Sequence, residues 1–188
     1  MNAESITKAG VDQLLATTGK SSDRPLSFSQ QLYQCFSVAA LAMASYFVIS
    51  HYVLQTVQVV GASMVPTLRD SQKYLLNRWV YHFRSPKRSD VVVLRDPIDN
   101  GFAVKRIIGT SGDWIYLKNG QVFVNGHKLN EPYLAPGTPT FPYKAVPAQV
   151  YLVGRDEFFV LGDNRKNSAD SRTYGAVPRR NILGLIVR

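Results

Sequence analysis

DWIYLKNGQVFVNG, Asp113 to Gly126, holds two short runs rich in β-branched and aromatic residues on either side of Asn119-Gly120. Asn-Gly accepts φ > 0 at both central positions of a tight turn, so the segment reads as a β-hairpin. The chain around it repeats the pattern. Upstream lie QVVGASM (58–64), which alternates weakly, DVVVLRD (90–96) and AVKRIIG (103–109). Downstream lie EFFVLGDN (157–164) and ILGLIVR, Ile182 to Arg188, too short to cross a membrane and read as a last strand. Between them Glu131–Val150 carries five prolines and reads as a long irregular connection. The expectation is a mainly β, antiparallel, partly barrel-like domain over 56–188, with 114–150 forming the hairpin and a Pro-rich insert.

The N-terminal part is different. Residues 1–34 are polar and read as a flexible tail. Then comes CFSVAALAMASYFVISHYVL, Cys35 to Leu54, apolar and without charge, Pro or Gly. At 1.5 Å per residue it is long enough for a hydrocarbon core of roughly 30 Å, so 35–55 reads as one transmembrane helix. Tyr46, His51 and Tyr52 lie toward its end, where amphipathic rings favour an interface. A buried helix of a soluble domain is one alternative. A cleavable signal peptide is another, since Ala40-Leu41-Ala42 and Ala42-Met43-Ala44 look like small-residue cleavage sites. Lys20 and Arg24 before the span balance Arg69 and Lys73 after it, so charge leaves the orientation open.

The net charge is +9, and all of the excess falls in 69–188. A basic balance favours an anionic partner. The basic residues are scattered without a long run, so a lipid bilayer is a better partner than nucleic acid. Lone Cys35 excludes an intramolecular disulfide.

Hydrolytic chemistry has few routes here. His51, His82 and His127 sit in no motif, and neither they nor the single Cys have metal-ligand spacing. A Ser–Lys pair needs neither histidine nor metal, and no cofactor is expected. Ser63 lies in GASMVPTL, where a strand ends at Val60 and small residues follow. Val60, Gly61 and Ala62 leave room for a substrate backbone, and the Ser63 N–H is free to donate. An idle serine in a turn fits the same segment. Lys105 lies in FAVKRIIGTSGD beside Arg106. On a strand the two cations point to opposite faces, and Lys105 shares its face with Ala103 and Ile107. A lysine desolvated there has a lowered pKa and can act as a neutral base, whereas arginine stays protonated. Both cations reaching solvent is the bland alternative. GDNRKNSADSRTYGAVP, Gly162 to Pro178, is a turn-rich loop in which Ser168 can bond the lysine amine and Asp170 can pair with Arg172.

Taken in order, SMVPTL, DVVVL, VKRIIG and GDNRKNSADSR resemble the signature blocks of type I signal peptidases. That resemblance implies Ser63 as nucleophile, Lys105 as general base, Ser168 as the residue touching the lysine, and Asp170 with Arg172 as a supporting ion pair. It implies a membrane-anchored serine endopeptidase with a cytoplasmic N-terminus and its β domain on the outer face: periplasmic, extracellular or thylakoid-lumenal. The partners implied are precursor proteins whose signal peptides have small residues at −1 and −3. The single span and compact insert are similar to cyanobacterial, plastid or Gram-positive forms. One departure is Gly61, where some relatives place a serine as a second oxyanion donor. Either a donor is missing, or the site needs glycine's φ or space. Two rival readings are a membrane-tethered β module that binds an extended peptide without catalysis, and a self-cleaving Ser–Lys repressor. The second should begin with a helix-turn-helix, and this chain does not.

Overall fold

The computed structural model describes residues 27–49, 54–144 and 146–187. Residues 1–26 of the tail expected over 1–34, the stretch 50–53 with His51 and Tyr52, and Arg188 lie outside the described residues, while 28–34 of that tail is helical and not irregular.

Helix α1 runs over Phe28–Val48. It begins ahead of the apolar run at Cys35 because Ser27 starts it. The Gln30 amide donates to Ser27 Oγ at 3.4 Å, and the Ser27 amide donates back to Gln30 Oε1 at 3.0 Å. This reciprocal pair is a capping box, legible as Ser-x-x-Gln before an apolar run. Inside the helix, Ser37 and Ser45 donate to the Gln34 and Leu41 carbonyls, so their hydroxyls need no water. No residue of α1 is buried, and the helix is long and apolar enough to cross a membrane.

The remainder is mainly antiparallel β. In chain order the elements are β1 (Leu54–Gln58), β2 (Lys73–Asn77), α2 (Val80–Phe83), β3 (Val91–Arg95), β4 (Phe102–Gly109), β5 (Trp114–Lys118), β6 (Gln121–Val124), β7 (His127–Lys128), β8 (Ala148–Leu152), β9 (Glu157–Leu161), α3 (Ser171–Tyr174), β10 (Val177–Pro178) and β11 (Ile182–Val187). Seven strands form one sheet in the order β1-β2-β11-β3-β4-β9-β10, and four form a second, β7-β6-β5-β8. The larger sheet ends in two edges, β1 and β10, so it is a partial barrel and not a closed one.

Both faces of the larger sheet are covered. Val92, Leu94, Ile107 and Val160 pack on one side, while Val91 and Val93 pack on the other with Met64, Leu68 and Leu76. Strands buried on both faces read as unbroken apolar runs, which is why DVVVL and EFFVL show no alternation. Ile108, Phe159 and Leu161 join Ile115, Leu117, Val122 and Val124 in a third cluster that binds the two sheets together.

Asn119-Gly120 makes the expected hairpin, with φ of 52° and 74°. Asn125-Gly126 makes a second at 52° and 83°, returning the chain into β7. Five strands escape the sequence pattern: β1, which begins at Leu54 inside the stretch read as the span, the two-residue β7 and β10, and β2 and β8. β2 is apolar without period, and β8 follows directly on Pro147, inside the stretch expected to be irregular. QVVGASM contributes only Gln58 to a regular strand. Val59 still exchanges backbone bonds with Ser71 and Gln72, but Gly61 turns away at φ +102°.

Candidate active site

Ser63 sits in the turn after β1. The turn is pinned by Met64 and Leu68, both fully buried, and by the Leu68 amide donating to the Met64 carbonyl at 2.9 Å. The Gly61 amide donates to Asp70 Oδ1 at 2.7 Å, so that N–H is already occupied. Gly61 holds a φ that a residue with a Cβ rarely adopts, yet nothing lies within 4 Å of where its Cβ would stand. Of the two explanations for glycine here, backbone conformation is the one that applies; crowding by the protein is not.

Lys105 and Arg106 are both buried, at 4% and 5% exposure. The bland expectation that both reach solvent is therefore wrong. They part to opposite faces as strand geometry requires. Lys105 stands opposite Val92 in the ladder and sends Nζ to Ser63 Oγ, donating at 3.2 Å. Burial holds the Lys105 amine below the ordinary lysine range; Asp170 and Asp96 oppose that shift, and the Arg172 cation reinforces it. Arg106 donates from Nε and Nη2 to both oxygens of Asp163, at 2.9 and 2.7 Å, and also to the Ser89 carbonyl. Its guanidinium lies over the Tyr133 ring at 3.9 Å.

The turn-rich loop after β9 closes on the same place. Asp170 is fully buried and accepts from Arg172 at 2.8 and 2.9 Å, from the Gly162 amide at 3.1 Å and from the Arg172 amide at 3.2 Å. Arg172 also donates to the Arg165 carbonyl at 2.7 Å, so the pair ties both ends of the loop. Ser168 Oγ is buried beside Gly162 without a hydrogen-bond partner, so the expected bond to the lysine amine is not formed in this state. Gly162 has no room for a side chain: its Cβ would fall 2.6 Å from the Ser63 carbonyl oxygen and closer still to Ser168 Oγ.

Three groups here were not singled out from the sequence. Asn164 donates its amide to the Ser63 carbonyl at 2.9 Å and its Nδ2 to the Ala62 carbonyl at 3.1 Å. Arg106–Asp163 is one buried ion pair, and Arg165–Glu131 is another, with Thr140 also accepting from Arg165. A signal did exist for the first pair. An arginine beside a lysine on a doubly covered strand must be buried if the strand is, and then needs a carboxylate.

Ser63 and Lys105 open onto a cleft of about 600 Å³. Val57 to Val60 form one wall and Phe102–Lys105 the other, over a floor that includes Leu76, Val93 and Leu183. Both walls offer unpaired backbone. β1 pairs only with β2, and β4 meets β9 only from Arg106 onward. Among the described residues no cluster of His, Cys, Asp or Glu is placed to hold a metal ion.

The family model for signal peptidase, peptidase S26, matches residues 31–188. Signal peptidase I of Leptolyngbya laminosa is 35% identical over 145 residues, covering 72% of this chain and 68% of that protein. Signal peptidase I P of Bacillus subtilis subsp. natto is 35% identical over 154 residues, covering 77% and 81%. A solved signal peptidase I from Enterococcus faecalis V583 aligns over 55% of this chain and 98% of its own at 28% identity, with a TM-score of 0.48. These sequence likenesses define the class as serine endopeptidases, hydrolases of the peptide bond. The chain belongs to the signal peptidase family, peptidase S26.

Proposed function

We propose that this chain cleaves N-terminal signal peptides from translocated precursor proteins with a Ser–Lys dyad, Ser63 as nucleophile and Lys105 as general base. The observation that carries this reading is the 3.2 Å contact between Lys105 Nζ and Ser63 Oγ, made by a lysine that burial biases toward its neutral form. With the amine neutral, the hydrogen bond reverses and the Ser63 hydroxyl donates to the nitrogen lone pair. Oγ then attacks the carbonyl carbon of the −1 residue while the amine takes its proton. The resulting ammonium returns that proton to the departing amino group of the mature protein, leaving an ester on Ser63. Water attacks the ester, Lys105 accepts its proton, and Ser63 is restored. The Ser63 N–H is the donor suited to the developing oxyanion.

The substrate adds as an extended strand between the free edges of β1 and β4, against Val60, Gly61 and Ala62. On an extended strand −1 and −3 face the same way, and small residues suit both positions. Asp170 and Arg172 hold the loop, and Ser168, whose buried hydroxyl has no partner among the described residues, is the residue proposed to accept from the Lys105 amine. Helix α1 anchors the chain in the bilayer, with the N-terminus cytoplasmic and the β domain on the outer face.

The test is precursor cleavage by Ser63→Ala and by Lys105→Arg, followed together with circular dichroism. Both variants should keep the β spectrum and lose cleavage. Near-normal cleavage by either folded variant removes the dyad and favours the peptide-binding module without catalysis.

A further inference from the structure

The smaller sheet has one face turned to the core and one turned out. Ile115, Leu117, Val122 and Val124 fill the core. A sheet with one solvated face should carry polar residues at the alternate positions. This one does not. Trp114 stands opposite Leu152, Tyr116 opposite Val150, and Phe123 opposite Tyr116 with ring centroids 6.1 Å apart. Leu152 is 78% exposed, Val150 53% and Trp114 39%. Paired residues share a face, so these five side chains form one contiguous apolar surface. A surface of that kind marks an interaction site more often than chance.

The charges on the same face choose the occupant. Lys118, at the end of β5, and Lys128, opposite Phe123 on β7, project with the aromatics, and the four strands place no carboxylate among them. Trp and Tyr with flanking lysines suit the headgroup layer of a membrane, where the rings sit at the boundary and the ammonium groups reach anionic phosphates. A second copy of this face would bring lysines against lysines. The same chain carries a helix long and apolar enough to cross a membrane, so a bilayer is a surface it can meet.

We propose that the outer face of the four-stranded sheet, centred on Trp114, Tyr116, Phe123, Val150 and Leu152, docks on an anionic lipid surface. This contact does not depend on the roles of Ser63 and Lys105.

The chain has two tryptophans, Trp79 and Trp114. Trp79→Phe therefore leaves Trp114 as a single reporter in the full-length protein. The protein is reconstituted into phosphatidylcholine vesicles with or without phosphatidylglycerol, using lipids brominated high in the acyl chain. With phosphatidylglycerol, Trp114 emission should shift to the blue, be quenched several-fold more by bromolipid than in phosphatidylcholine alone, and be shielded from aqueous iodide. Leu152→Asp combined with Lys118→Glu should abolish the lipid quenching while peptide cleavage in detergent stays unchanged. Iodide access without bromolipid quenching in both vesicle types would overturn the proposal. Iodide shielding without bromolipid quenching would overturn it too, since that is the mark of a protein partner such as a second copy. Equal quenching with and without phosphatidylglycerol would overturn the recognition of anionic headgroups.

Discussion

Asn164 holds Ser63 by its backbone: the Asn164 amide donates to the Ser63 carbonyl at 2.9 Å, and Asn164 Nδ2 donates to the neighbouring Ala62 carbonyl at 3.1 Å. Neither bond touches the Ser63 hydroxyl. Both fix the turn from which it projects.

Asn164→Ala should therefore leave the fold intact and lower kcat. The lost side-chain bond is worth only about 1 kcal/mol. A nucleophile displaced by a fraction of an ångström nonetheless loses roughly 10- to 100-fold in rate. KM should change little. Steady-state kinetics on a precursor peptide checks this, and an unchanged kcat would mean the Asn164 amide alone suffices.

Lys105 sets a pH dependence whose sign can be worked out. Its folded-state pKa lies below the free value of about 10.4, because burial disfavours the ammonium. Activity that needs the neutral amine should rise with pH on a limb below that value. Between the folded and free pKa values the unfolded chain binds more protons, so stability rises with pH across that window. The penalty is complete below the folded pKa and vanishes near pH ~10.4. Lys105→Met should thus be more stable than the parent at low pH, with the gap closing as pH rises. Urea midpoints across the pH range test this; a gap that widens with pH would contradict the buried lysine.

The ion pairs Arg106–Asp163 and Arg84–Asp90 should separate by burial. Arg106→Ala strands a fully buried Asp163 and should cost about 3–5 kcal/mol of stability. Arg84 is 30% exposed opposite Asp90, and Arg84→Ala should cost roughly 1 kcal/mol. Denaturant unfolding of the two variants should rank them in that order.

Gly61→Ser should lower activity and stability. Its φ of +102° imposes about 1–3 kcal/mol of backbone strain on a residue with a Cβ. The open space around Gly61 means the loss of stability comes from strain, without a clash against the protein itself. A folded Gly61→Ser enzyme with clearly higher kcat would instead indicate that an oxyanion donor was missing.

Much of this could be read in advance. The Asn-Gly turns dictate hairpins, and the β-branched runs dictate buried strands, because both are local preferences. The meeting of Ser63 with Lys105 had no local warrant and came from motif order. What stayed hidden was partnership at long range. Nothing around Asn164 says that it caps a turn near Ala62, and nothing in LLN or QVYL distinguishes a strand from another apolar stretch. Strand β8 was masked by Pro147, which forbids a ladder bond at its own position but not at the next residue. The Ser27–Gln30 capping box is legible as Ser-x-x-Gln, and it starts the helix seven residues before the apolar run.

Gly162 has a consequence for how the enzyme comes to be active. It lets the Ser63 turn and the loop after β9 close on one another, and Asn164 lies 102 positions beyond the Ala62 carbonyl that it binds. A growing chain that has emerged as far as Lys105 already carries both members of the proposed dyad, yet has nothing to clamp the turn that aims one at the other. Proteolytic competence is thereby tied to near-completion of synthesis.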